Sequence, residues 1–189
     1  MLADAMQKRK VSPDAADSAL KEITDRCYFD VTIDGEYSGR IIISLYGNAA
    51  PLAAKNFKLL CTGSKGYGYR GNSIYRIISG LSIQGGDWEH DDGTGGYSAL
   101  DDLKFFQDES FAIKHDHIGI VSSASRGSNK NGSRFFITLD NAPWADDKYV
   151  AFGLVTEGLN LLERIGSMPT RTPSNRPVAK IVISAAGVL

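Results

Sequence analysis

The chain has little that would fix its fold covalently. Its 189 residues contain two cysteines, Cys27 and Cys61, whose spacing suits neither a disulfide framework nor a metal site, so a reducing compartment is expected. No stretch approaches the ~18–20 apolar residues of a membrane helix, and residues 1–12 hold no apolar run of the kind a secretory signal needs. The 21 basic and 22 acidic side chains nearly cancel, leaving a formal net charge of −1, which argues against a strongly basic nucleic-acid platform. Also missing are a Gly-x-Ser-x-Gly elbow, a Walker loop and paired carboxylates on a convincing scaffold. A soluble, cytosolic protein working as a monomer is the expectation, with a nuclear setting left open. Charged residues at 23% and aromatics at 10% exclude a disordered chain. A chain of this length buries about 70% of its unfolded surface, enough for a core without disulfide or metal staples.

Glycine is the compositional surplus, at 20 residues, and points to many tight turns between short strands. The first 26 residues read apart from the rest. Ser12-Pro13-Asp14 is a helix start, with a capping hydroxyl, proline in the first turn and an acid near the positive end of the dipole. Ala16, Ala19, Leu20 and Ile23 then give one short apolar face, for the domain's own surface or for a partner. Residues 1–10, with the Lys8-Arg9-Lys10 triplet, read as a frayed tail. From Cys27 the pattern is mostly β. Tyr28–Ile33 and Gly39–Leu45 alternate around Asp34-Gly35, a hairpin signal. Pro51–Cys61 has helical spacing and stops at Gly63. Strand-like runs follow at Ser73–Ile78, Leu81–Gln84, Gly119–Ser122, Arg134–Leu139 and Val150–Val155, then a helix over Gly158–Ile165, a polar loop at 169–177 and a last strand at Lys180–Ala185. Many short strands with isolated helices suggest a closed antiparallel barrel.

Several segments imitate sites. Gly66-Tyr67-Gly68-Tyr69-Arg70-Gly71 matches a dinucleotide glycine pattern, but follows a helix where that motif needs a strand. It also resembles the start of an RNA-binding strand, which then fails at Arg70 and Asn72. A loop packing over the barrel end is expected instead. Asn131-Gly132-Ser133 reads as an Asn-Gly turn rather than a glycosylation site, and Trp88-Glu89-His90-Asp91-Asp92 as a solvated loop rather than a metal site. His115 and His117 have no nucleophile pattern beside them.

One constellation is far more informative. It runs from Ile74-Tyr75-Arg76-Ile77-Ile78-Ser79-Gly80-Leu81-Ser82-Ile83-Gln84-Gly85-Gly86-Asp87 through Gly93-Thr94-Gly95-Gly96 to Asn131-Gly132-Ser133-Arg134-Phe135-Phe136, then Trp144 and Phe152-Gly153. In order and spacing it resembles the cyclophilin family of peptidyl-prolyl isomerases, over the chain from about Cys27 to the C-terminus. The family signature is Phe-His-Arg-Ile-Ile-Pro-x-Phe-x-x-Gln-Gly-Gly-Asp. The resemblance implies an all-β fold: an eight-stranded antiparallel closed β-barrel capped by two α-helices over residues 27–189. The helical extension, 1–26, precedes it. It also implies a reaction, rotation about X-Pro bonds, that needs no cofactor, metal or nucleophile. The expected partners are proline-containing segments of proteins, with neither nucleic acid nor membrane among them, and cyclosporin at weakened affinity.

By that resemblance Arg76 is the catalytic cation, Gln84 orients the peptide, Phe136 walls the proline pocket, Trp144 borders the groove, and Gly93 and Ala124 leave room for substrate backbone. The groove also departs from the family. Tyr75 stands for histidine, Leu81 for phenylalanine, Ser82 for methionine, Ser125 for asparagine, Arg126 for alanine, Arg134 for glutamine, Ala145 for leucine and Tyr149 for histidine. Losing some tens of Å² of apolar wall, at ~25 cal/mol per Å², weakens proline binding by about 1–2 kcal/mol, or about tenfold and somewhat more. A slow isomerase of altered specificity is therefore expected, the alternative being a non-catalytic proline-peptide-binding or assembly module. Arg126 and Arg134 are expected to favour an acidic or phosphorylated residue beside the proline, unless both pair with barrel carboxylates.

Overall fold

The computed structural model describes residues 13–189; the tail at 1–10 and the Ser12 cap lie outside them. Helix α1 (Pro13–Leu20) buries no residue. Ala16 and Ala19 of its apolar stripe, and Ile23 beyond it, stay exposed, and only Leu20 packs down, against a small cluster of Tyr46, Ala49, Ile113, Ile120 and Ala151.

Strands β1 (Asp25–Ile33) and β2 (Glu36–Leu45) form the hairpin that the Asp-Gly pair predicts. Asp34 at φ 50° and Gly35 at φ 86° place both turn residues in the left-handed region, which matches the twist of the flanking strands. Helix α2 (Pro51–Thr62) starts on proline and ends at Gly63, φ 67°, whose N–H returns to the Leu59 carbonyl at 3.0 Å. Its first amides are satisfied from a distant loop: the Glu109 carboxylate accepts the N–H groups of Leu52 and Ala53 at 2.8 and 3.0 Å. The chain continues through β3 (Arg76–Ile78), β4 (Ser82–Gly85), β5 (Ile120–Ser123), β6 (Phe135–Thr138), a 3-10 turn at Pro143–Ala145, β7 (Ala151–Glu157) and α3 (Leu159–Gly166). A short hairpin of β8 (Thr170–Arg171) and β9 (Arg176–Pro177) interrupts the polar segment expected to be a loop, and β10 (Ile181–Val188) closes the chain.

Eight of these strands make one curled antiparallel sheet in the order β10-β1-β2-β7-β5-β6-β4-β3. The expected closed barrel is modified at its seam, because edge strands β3 and β10 do not form a ladder with each other. The run expected as a strand over Ser73–Ile78 is ladder-bonded only from Arg76. The chain before it, entering from Gly71 at φ 87°, reaches β10 through single hydrogen bonds: Gly71 N–H to Ile183 O at 2.7 Å, Ile183 N–H to Asn72 O at 2.9 Å, and Ile74 N–H to Ile181 O at 2.9 Å.

Inside the curl, Phe29, Phe57, Tyr69 and Phe135 form an aromatic cluster with ring centroids 5.1 to 5.9 Å apart. The glycine-tyrosine loop owes its pattern to this packing. Tyr69 is in the core, Tyr67 stacks on Trp88 at 4.0 Å, and a Cβ on Gly68 would lie 2.2 Å from the Leu60 carbonyl oxygen. Asn131, expected in a turn, instead forms an isolated bridge with Phe106, and its buried side chain donates to the Phe106 carbonyl and the Asp108 carboxylate.

Candidate active site

Pairing register places the candidate residues. Across the sheet, Ile77, Ile83, Ile137 and Val121 pair in sequence and face the core. Side chains alternate along a strand, so the adjacent row, Arg76 on β3, Gln84 on β4, Phe136 on β6 and Ser122 on β5, faces outward together. At ~4.8 Å between neighbouring strands, Arg76 and Phe136 have backbones about 10 Å apart, within reach of a long arginine. Arg76 is exposed, and neither its side chain nor that of Gln84 makes a hydrogen bond or ion pair among the described residues.

Phe136 lies under loops. Its ring packs near-parallel to His115 (centroids 5.7 Å, 16°) and Trp144 (5.8 Å, 28°), with Tyr149 edge-on at 5.4 Å. It is only 2% exposed, whereas Trp144 is 44% exposed. Trp144 and Tyr149 are held by the 3-10 turn, Tyr149 N–H bonding the Ala145 carbonyl at 3.0 Å. The substituted Ser82 and Ala145 are fully buried, and the Ser82 hydroxyl has no hydrogen-bond partner among the described residues. Leu81 stands exposed at the β3–β4 turn.

Behind Phe136 is an arrangement the sequence did not show. His115 Nδ1–H donates to Asp146 Oδ1 at 2.9 Å, and Nε2 lies 3.0 Å from Ser122 Oγ, whose hydroxyl donates to it. The His115 N–H also bonds Asp146 Oδ1, at 2.8 Å. Burial lowers the imidazole pKa, against the pull of Asp146, and keeps the ring neutral. The order Ser–His–Asp is that of a nucleophilic triad, but the serine and the imidazole are both inaccessible, with Phe136 stacked on the ring. What this network can do is hold the pocket wall in place. Residues 115, 122 and 146 meet only through the β5 register and the Pro143–Ala145 turn.

Strand β4 runs on into a loop built around Asp87. Its buried carboxylate accepts the N–H groups of Glu89, His90, Asp92, Gly93 and Gly95 at 2.9 to 3.3 Å. Burial alone would raise its pKa, but these amides outweigh it and hold the group at about 2. Asp87, His90 and Asp92 bring donor atoms within 4.8 Å of one another, yet the Asp87 oxygens are already bonded to those amides. The segment expected to be merely solvated is therefore a scaffolded loop.

Three side chains pack against this loop: Tyr75, Arg126 and Arg134. A Cβ on Gly93, φ 91°, would lie 2.7 Å from the Tyr75 ring, so Tyr75 occupies the side-chain position of this half-buried glycine. Tyr75 is 6% exposed and fills that space. Burial raises its pKa, Arg134 opposes the rise, and its hydroxyl has no well-formed hydrogen bond. Among the described residues Arg126 and Arg134 pair with no carboxylate, so the alternative of carboxylate pairing finds no support there. Arg126 Nη2–H donates to the carbonyls of Thr94 and Gly95, the latter at 2.8 Å, and Arg134 Nη1–H donates to the carbonyl of Gly93. Ala124, opposite Arg134, gives its N–H to the Arg134 carbonyl at 2.9 Å, and Ser125 follows it half-buried.

A family model described as cyclophilin type peptidyl-prolyl cis-trans isomerase/CLD matches residues 28–188, nearly the whole sheet with its helices α2 and α3 and the complete Arg76–Gln84–Phe136 row. By that match the chain belongs to the cyclophilin-type peptidyl-prolyl cis-trans isomerase family.

Proposed function

We propose that the chain isomerises X-Pro bonds in proteins, with Arg76 as the catalytic group and with slow turnover on apolar test peptides. Amide resonance sets the uncatalysed barrier at ~18–20 kcal/mol. A catalyst must bind the twisted bond better than either planar form. Twisting localises a lone pair on the prolyl nitrogen, and a guanidinium that donates to it favours the transition state selectively. The observation carrying this reading is the outward row: an arginine and a glutamine amide, neither in a hydrogen bond or ion pair among the described residues, beside the Phe136 ring. Gln84 orients the peptide, Trp144 and Tyr149 border it, and the Asp146–His115–Ser122 network positions Phe136.

Attenuation is supported by the cover over Phe136 and by the small buried side chains at Ser82 and Ala145. Tyr149, Arg126 and Ser125 also support weakened cyclosporin affinity. The covered ring favours a second reading, a proline-segment binder without turnover. NMR exchange spectroscopy on an Ala-Pro peptide, with wild type and Arg76→Ala, separates the two. Exchange cross-peaks that vanish in the variant support the enzyme. Peptide binding without exchange in either protein supports the binder.

A further inference from the structure

The Asp87 loop contains four carboxylates and faces two guanidiniums, yet the two sets do not meet. Asp87 is bonded to five backbone amides. Glu89 accepts the Gly96 N–H at 2.6 Å, Asp91 the Ser73 N–H at 2.6 Å, and Asp92 the N–H and hydroxyl of Thr94 at 2.9 and 2.6 Å. Each acid is turned to backbone or hydroxyl donors. Arg126 and Arg134 are anchored on the carbonyls of Gly93, Thr94 and Gly95, and neither has a carboxylate within 4.0 Å among the described residues. A guanidinium has five N–H donors. Arg126 makes its bonds through Nη2 and Arg134 through Nη1, with the Tyr75 hydroxyl also against the Arg134 guanidinium, so each fork has more donors than these partners use.

The placement is defined. Arg134 is two residues from Phe136 and on the same strand face, which is about 7 Å along the strand. That equals about two residues of an extended peptide, and the reach of the side chains brings the adjacent position within range. Both side chains are held at neighbouring carbonyls, and Arg126 also lies 5.7 Å from the Phe105 ring, so little rotamer freedom remains to be lost on binding. Two like charges on one loop repel, and a shared anion relieves that repulsion.

We propose that Arg126 and Arg134 form a two-guanidinium seat for an anionic side chain, a carboxylate or a phosphate monoester, one or two residues from the proline of a bound segment. The proposal rests on the reading that the groove takes proline-containing segments, and it names which segments. Planar forks suit both anions through paired charge-assisted hydrogen bonds.

The test is a titration of the full chain with three peptides identical except at one position adjacent to, or one removed from, the proline: Gln, Glu or phosphoserine. Binding is followed by backbone amide shifts and isomerisation by exchange spectroscopy in the same tubes. Glu is expected to bind about tenfold more tightly than Gln at low salt, with the gap narrowing as salt screens it. Arg126→Gln and Arg134→Gln should each remove most of the gap. Arg134→Lys, which keeps the charge without the fork, should retain part of it, and separates charge recognition from a disturbed loop. A gap for phosphoserine alone assigns the seat to phosphate, and a gap for both assigns it to anions in general. Equal affinities for all three peptides overturn the proposal, even where exchange shows turnover and the isomerase reading stands. A Glu preference without exchange in any peptide upholds the seat and rejects turnover. Absence of binding by every peptide overturns both.

Discussion

Replacing Asp87 by asparagine removes the charge that organises the loop on which Gly93, Thr94 and Gly95 lie, while keeping the side chain's shape. The carboxyl is held at about 2 against an ordinary 3.8, so ionised Asp87 contributes about 2 kcal/mol to folding at neutral pH. The sign follows from the depressed value: the contribution is complete above about pH 4 and is lost as pH falls through about 2. Asp87→Asn is therefore expected to destabilise the protein by about 2 kcal/mol near pH 6, and by progressively less toward pH 2, where the wild-type carboxyl becomes a neutral near-isostere of the amide. Urea unfolding followed by tryptophan fluorescence is the assay, since Trp88 sits in the loop with its indole N–H on the Tyr97 carbonyl at 3.0 Å. Asp30, Asp101 and Asp146 also have lowered values, but they titrate in both proteins, so the difference between the two isolates Asp87. A difference that stays constant from pH 6 to pH 2 would refute the reasoning and show that the loop depends on shape alone.

Tyr149→Ala uncovers one edge of Phe136. If some 50 Å² of ring becomes available to a proline, binding of apolar peptides tightens by about 1 kcal/mol, about fivefold to tenfold, at ~25 cal/mol per Å². Stability should fall by ~0.5–1.5 kcal/mol for each of the two aromatic pairs lost, with Phe136 and with Trp144, and unchanged kcat/KM would show that Tyr149 does not obstruct the pocket. Because burial lowers the His115 pKa, stability should decline as pH falls below the ordinary histidine value of about 6.5 and level off once the folded-state group is protonated. His115→Gln should flatten that slope, and a slope that survives the substitution would place its origin elsewhere.

Local signals in the sequence located most of the sheet. The Asp34-Gly35 turn, the proline and glycine bounding α2, and the alternation in β1 and β2 are decided by neighbouring residues, so the sequence carries them. Of the outward row, period-two alternation alone sets Arg76 opposite Ile77, while Gln84 and Phe136 were named only through the family resemblance. The seam was not legible: whether residues 71–74 pair as a strand depends on β10, more than a hundred residues later. The groove's polar partners were hidden for a related reason. Arg126 and Arg134 bond to backbone carbonyls, which every residue possesses and no composition marks. Asp146, His115 and Ser122 are joined only by a strand register and a 3-10 turn. Gly93 shows in the sequence only that a side chain is absent, and nothing local marks that the Tyr75 ring lies against that position.

The most direct test of the account is the rate of exchange at saturating peptide, measured beside the dissociation constant, for wild type and Arg76→Ala. A guanidinium that acts on the twisted bond should cost about 100-fold or more in the bound-state rate when removed, with the dissociation constant changed by less than about threefold. A bound-state rate that survives the substitution, or one that falls only in step with affinity, would contradict the assignment of Arg76 as the catalytic group.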